Sequence, residues 1–344
     1  MAKQQREGRP RIGLVLGAGG LLGGAWMVGG LNALKTATGW DPRDADHIVG
    51  TSAGSVLSAA ISTGIDPDRL LPISPDWIFK GLFGADDELI MTSDHAASGR
   101  RRLLWGMPGS WRLLVSGIRF DGNRPSLLRV LTGLIPQGLI STAPIRDTIR
   151  HLVPDGWTDH PCCWIVACDY QTGKRVAFGA PETPVVPLAD AVAASCAIPG
   201  FYRPQLADGR RYVDGGLHSM SNLDLLADCD LDLVICLNPL SSNYRTHSWD
   251  PVDRFMDGFR RLATKQLESE AAKLRNRGIE VVLLQPGEED LVAMGNNLME
   301  GRRSRDVVEI ARRTVTEQLH HPTVRRTLAE FGLDVARPAA RKAS

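Results

Sequence analysis

Twice near its start the chain passes from a short apolar run rich in β-formers into a glycine turn and then into residues that can be helical. The two passages are RIGLVL-GAGGLLGG-AWMVGGLNAL and HIVG-TSAG-SVLSAA. Strand, turn and helix in succession predict an α/β fold with a mainly parallel sheet, since a parallel neighbour is reached only through a crossover lying on the sheet face. The second helix is expected over about residues 53–63, stopping near Gly64 with Pro67 beyond.

Later segments extend the pattern. SLLRVLTGLI (126–135) has helical spacing and ends at Pro136, and Ile145, Ile149 and Leu152 predict an amphipathic helix after Pro144. WIVACD and KRVAFG flank Gln171-Thr172-Gly173 as a hairpin. PLADAVAASCAIPG reads as a short helix ended by Pro199-Gly200. LDLVICLN (231–238) and IEVVLLQ (279–285) read as core strands, with a charged helical stretch over 251–277 between them. Ser304 is placed to cap a last helix whose Val307, Ala311, Val315 and Leu319 share one face. Residues 1–10 read as a disordered lead-in and 335–344 as a flexible tail. A single domain is expected over 11–320, with an insertion at about 66–145 whose first part has poor periodicity.

The 344 residues are 43% hydrophobic, enough to bury a sizeable core. A formal net charge of +1 gives no electrostatic reason to expect nucleic acid as a partner. The clusters Arg100-Arg101-Arg102 and Arg302-Arg303-Ser304-Arg305 read as solvated faces. None of the six cysteines forms a CxxC pair with a partner pair at zinc spacing, so reduced core thiols and no metal are expected. MAKQQREGRPR is polar and lacks the apolar core of a signal peptide, and no run of 18 uncharged apolar residues occurs. These features lead us to expect a cytoplasmic protein, peripheral at the membrane at most.

In GTSAG, Ser52 lies between Gly50 and Gly54. A strand-to-helix turn with this pattern leaves no room for side chains at the glycines and lifts the serine hydroxyl above the sheet edge, beside free amides at a helix start. A plain turn is the alternative. GAGGLLGG (17–24) lacks the third glycine of a dinucleotide fingerprint, because position 22 is Leu, and it lacks the lysine of a Walker A loop. A cradle of backbone N–H groups for an oxyanion needs only glycines and a helix start; a tight packing turn is the other reading. Serine needs a base to become a nucleophile. None of the eight histidines lies in a strand-end glycine loop that would present an imidazole. Asp214 does follow an apolar-aromatic run and precedes Gly215-Gly216, as a carboxylate at a strand end would; a common Asp-Gly turn would look the same.

The glycine loop, GTSAG and DGG, in that order, resemble the patatin-like phospholipase family. AASCAIPGFYRP (193–204), LHSMSNLDLL (217–226) and LVAMGNNLME (291–300) are similar to further stretches of it. The resemblance runs from about residue 11 to about 320 and is weak over 66–125. It implies a three-layer α/β/α fold, a mainly parallel central sheet and a helical cap-like insertion. It also implies a Ser–Asp dyad: Ser52 as nucleophile, Asp214 as base, and an oxyanion hole from the amides of Gly19, Gly20, Leu21 and Ala53. Gly17, Gly23, Gly50, Gly54, Gly215 and Gly216 are the motif glycines. The implied activity is serine hydrolysis of lipid or phospholipid acyl esters without cofactor. An acyltransferase and a non-catalytic lipid- or nucleotide-binding protein are the alternatives. Two positions depart from the family pattern: Ala18 stands for Gly, and Leu22 for Arg or Lys. Trp77, Phe79, Phe83, Trp105, Met107, Trp111 and Phe120, with arginines between them, would form either a cap that touches acyl chains or a membrane surface, or a packed insertion.

Overall fold

The structure, a computed structural model, describes residues 8–70, 138–154, 156–244 and 251–336. The helix expected over 126–135 and the aromatic stretch 77–120 lie outside the described residues.

The chain enters the core as β1 (Ile12–Leu16), crosses by α1 (Gly20–Thr38) to β2 (His47–Thr51), and turns at once into α2 (Ala53–Ser62). The short α3 (Pro67–Leu70) follows. Next come α4 (Ala143–Leu152), β3 (Cys163–Asp169), β4 (Arg175–Phe178), α5 (Leu188–Ser195), β5 (Gln205–Ala207) and β6 (Arg210–Asp214). The last part holds β7 (Leu233–Leu237), α6 (Pro251–Asn276), β8 (Glu280–Leu284), α7 (Glu288–Met294), α8 (Ser304–His320) and α9 (Pro322–Glu330).

Five strands are parallel, in the order β3-β2-β1-β7-β8. They read as unbroken apolar runs because both faces are covered. Alternate residues feed two cores. Leu14, Leu16, Ile48, Ile235 and Leu237 pack with α1, α2, α5 and α8 on one face. Val15, Val49, Val166, Val234 and Cys236 pack with Leu267, Ala271 and Leu274 of α6 on the other. This is the expected three-layer α/β/α arrangement. Among the described residues no helix is long and apolar enough to cross a membrane.

The antiparallel strands bear most directly on function. β3 pairs with β4 along one edge, through Ile165–Cys168. Its other edge is shared: Cys163–Val166 pair with β2, and Ala167–Asp169 pair with β6, which runs the opposite way. Thr51 therefore lies opposite Val166 and Asp214 opposite Ala167. The C-terminal ends of β2 and β6 meet head-on, one residue apart on a common partner.

Two expectations need correction. Ser304 does not cap α8 with its side chain: its Oγ is buried without a partner among the described residues, and Arg303 stands at the N-cap position. A 3₁₀ turn over Gly301–Arg303 runs straight into the helix, so Ser304 already has helical backbone, φ −56° and ψ −38°. Nor is this helix the last. α9 follows, Leu328, Leu333 and Val335 are buried in the main core, and the Ala336 N–H donates to Ala37 O.

Candidate active site

Strand order reverses at β1: its successor β2 lies on one side and β7 on the other. Crevices at the carboxyl ends of strands at such a switch point are where open α/β sheets bind ligands. The glycine loop after β1 and the Ser52 turn after β2 both emerge there.

Ser52 has φ 54° and ψ −123°, a left-handed φ that costs a non-glycine residue on the order of 1–3 kcal/mol and persists only where the surroundings enforce it. Here they do so through both flanking peptides. The Ser52 N–H donates to Ser195 Oγ at 2.9 Å, and the Ser195 hydroxyl donates to Val166 O at 2.6 Å. The Ser52 carbonyl accepts from the Ser55 N–H and hydroxyl and from the Cys196 thiol. The side chain is left to project from the turn, 4% of the residue being exposed.

The flanking glycines follow from close packing. A Cβ on Gly50 would fall 2.4 Å from Ser58 Oγ and 2.6 Å from Ser55 Cα, and one on Gly54 would fall 2.0 Å from Leu16 O. A strand-end carbonyl cannot retreat without breaking the sheet. Gly54→Ala is therefore expected to cost at least about 3 kcal/mol, the upper end of ordinary overpacking, read as a lowered melting temperature or loss of soluble protein. A variant melting like the parent would contradict the packing described.

Asp214 ends β6 and is 6% exposed. Its N–H donates to Ala197 O, and its Oδ1 accepts from the Gly216 N–H at 2.7 Å, capping a 3₁₀ turn over Gly215–Leu217. The Ser52 hydroxyl is near enough to the same carboxyl to favour its ionised form. Burial pushes the Asp214 carboxyl up from 3.8 to about 6, and the Ser52 hydroxyl and the Gly216 N–H pull the other way without cancelling it. A carboxylate in this state is a stronger base than one in water.

Among the described residues, no imidazole is among the groups that shift the Asp214 carboxyl. His47 opens β2 at the end away from Ser52, packed edge-on against Trp164. His160 bonds to Ala45 O, and His151 and His320 bond to carbonyls of their own helices. His95 and His247 lie outside the described residues.

The glycine loop is tied down from two sides: the Gly17 N–H donates to Leu237 O and the Ala18 N–H to Met220 O. Ala18 is not among the residues with positive φ, which is why alanine is tolerated there. The first amides of a helix have no intrahelical partner. In α1 the Gly23 N–H makes the first such bond, to Gly19 O, and the Leu22 N–H goes to Leu298 O. The N–H groups of Gly19, Gly20 and Leu21 meet no acceptor among the described residues, nor does that of Ala53 at the start of α2. The Leu22 side chain, where a cation was expected from the family pattern, is wholly buried in the main core.

Ser195, Asn222 and Leu298 hold these parts in place, and sequence reasoning did not single them out. Ser195 sits in a run of small residues that looks like any buried helix, and Leu298 acts through its carbonyl. Among the described residues, no three His, Cys, Asp or Glu side chains are grouped so as to hold a metal ion.

Comparison with known proteins places the chain. It is similar in structure to VipD from Legionella pneumophila, with 14% identity, coverage of 92% of this chain and 72% of that one, and a TM-score of 0.37. It is also similar to the type III effector protein ExoU, with 14% identity, coverage of 94% and 54%, and a TM-score of 0.36; the chain thus spans about half of ExoU. The model of the patatin-like phospholipase family matches residues 14–227. That span is more than half of the sequence and takes in the glycine loop, Ser52 and Asp214, so the chain belongs to the patatin-like phospholipase family.

Proposed function

We propose that this protein is a lipid acyl-ester hydrolase in which Ser52 is the nucleophile and Asp214 its general base. The observation that carries the proposal is the meeting, on one edge of β3, of two strand ends: one leads into a serine on a strained turn, the other ends in a buried carboxylate of raised pKa. Asp214 accepts the Ser52 proton as Oγ attacks the ester carbonyl. The carbonyl oxygen, now an oxyanion, takes hydrogen bonds from amides of Gly19, Gly20, Leu21 and Ala53. Collapse of the intermediate expels the alcohol, which leaves with the proton from Asp214. Water then gives a proton to Asp214 and attacks the acyl-enzyme, and the departing Ser52 oxygen recovers that proton. A base with a pKa near 6 suits this work at neutral pH, since it is largely ionised yet basic.

A fluorophosphonate probe tests the proposal. Covalent labelling mapped to Ser52 is expected, blocked by prior incubation with an acyl-ester substrate; a native protein that resists the probe would refute an activated serine. Added alcohol separates hydrolysis from acyl transfer, because both pass through the same acyl-enzyme. Gly20→Ala tests the oxyanion site. Gly20 has φ 59°, and a Cβ there would lie 3.2 Å from Leu298 O and 3.3 Å from Met299 Sδ. The loop must shift to accommodate it, so kcat should fall on the order of 10²-fold with KM nearly unchanged. Wild-type kcat in a folded variant would remove these amides from the mechanism.

A further inference from the structure

We propose that Asn222 is a positioning residue that sets the distance between the nucleophile and its base, a role that rests on the dyad reading above. Asn222 is wholly buried, with φ 54° and ψ 29°. Asparagine enters this left-handed region more readily than most residues. Its Nδ2 donates to Thr51 Oγ1 at 3.1 Å, to Ser219 O at 2.7 Å and to Gly215 O at 3.4 Å. Its Oδ1 accepts from Arg175 Nη1 at 3.3 Å, and that guanidinium is paired with Asp224. Acceptors on one side and a donor on the other fix which way the carboxamide faces. Thr51 directly precedes Ser52, and Gly215 directly follows Asp214. One planar amide therefore links the two strand ends that meet on β3.

The turn that carries Asn222 is itself anchored. The N–H groups of Ser221 and Asn222 donate to Ser219 Oγ. The Ser221 hydroxyl and the Leu223 N–H donate to Glu270 Oε2 at 2.6 and 3.1 Å. Glu270 is buried on α6, which packs on the sheet face opposite α1 and α2. Met220 O holds the glycine loop through the Ala18 N–H. The stretch 219–222 thus bonds to the nucleophile strand, to the residue after the base and to the oxyanion loop. A general base must lie about 2.6–3.2 Å from the proton donor's heavy atom. Misplacement by about 1 Å can cost on the order of 10²-fold in rate.

Charged and titratable groups surround this junction on each side. Arg175 from β4 holds the Asp224 carboxyl below its usual range, with smaller help from Lys273 of α6 and from His218. Burial pushes Glu270 up, and the Cys196 thiol, which faces Asp214, is pushed up as well.

Asn222→Gly tests the proposal, because glycine keeps the left-handed backbone and removes only the carboxamide. We expect kcat to fall on the order of 10- to 100-fold with little change in KM. The acid limb of kcat/KM should move up by about half a pH unit or more, since a Ser52 hydroxyl moved away from Asp214 stabilises its carboxylate less. Thr51→Val, nearly isosteric, takes away one partner of the amide and should shift the limb the same way by less. A residue that only supports the fold would lower the melting temperature and scale activity equally at every pH. The proposal is overturned if folded Asn222→Gly keeps wild-type kcat, or if activity falls in both variants while the limb stays in place. Failure of the dyad reading is distinct: the wild-type protein would then escape fluorophosphonate labelling at Ser52, whatever the Asn222 variants do.

Discussion

Replacing Ser52 by alanine is expected to lower hydrolysis of a p-nitrophenyl acyl ester by at least about 10⁴-fold, in the range seen when a serine nucleophile is removed from other hydrolases. Alanine keeps the left-handed backbone at the same steric cost, so the turn itself should survive. The loss is of one oxygen and of the favourable influence it has on the Asp214 carboxylate. What remains is the oxyanion amides, which can still polarise a carbonyl but have nothing to deliver to it. Without the Ser52 hydroxyl, the Asp214 carboxyl keeps only the Gly216 N–H and should titrate above 6. The measurement is steady-state turnover at pH 7, alongside circular dichroism to verify folding. A folded Ser52→Ala protein turning over at the parental rate would end the proposed mechanism.

Asp214→Asn should cost on the order of 10³–10⁴-fold in kcat, because a neutral carboxamide cannot take the serine proton. Its effect on stability has the opposite sign. The folded protein holds the Asp214 proton up to about pH 6, whereas the unfolded chain releases it near 3.8. As pH rises between these values the unfolded state ionises first, so folded stability falls. Above pH 6 the full penalty stands, roughly 3 kcal/mol by the usual conversion. Asparagine carries no such charge. The variant should therefore melt no lower than wild type above pH 6, and the gap should close toward pH 4. Thermal melts between pH 4 and 8 read this directly. In the wild type the same ionisation should appear as an acid limb in kcat/KM near pH 6. An inactive variant that was also much less stable at pH 7 would mean Asp214 is a structural carboxylate and not a strained functional one.

The legibility of this fold varied with the range of the forces involved. β1, β2, β3, β7 and β8 were legible because strands covered on both faces must be apolar throughout. β5 was not, because three residues of edge strand exist only through pairing with β6. The Ser304 cap failed because the preceding turn runs into the helix, which no residue at 304 announces. Asn222 could have drawn notice only as one polar residue among several in SMSN, since its importance lies in partners at 51 and 215.

The amino-acid order by itself determined the strand-glycine-helix units, the serine flanked by glycines and the aspartate before a glycine pair. These are local matters of steric room and hydrophobic period, settled within a few residues. The tertiary structure alone decided that the strand ends leading to Ser52 and Asp214 meet. β6 returns antiparallel to the same edge of β3 that β2 occupies, and both strands stop there. It also decided the acidity of the Asp214 carboxyl, since the rise in its pKa comes first from burial, which only the folded chain supplies.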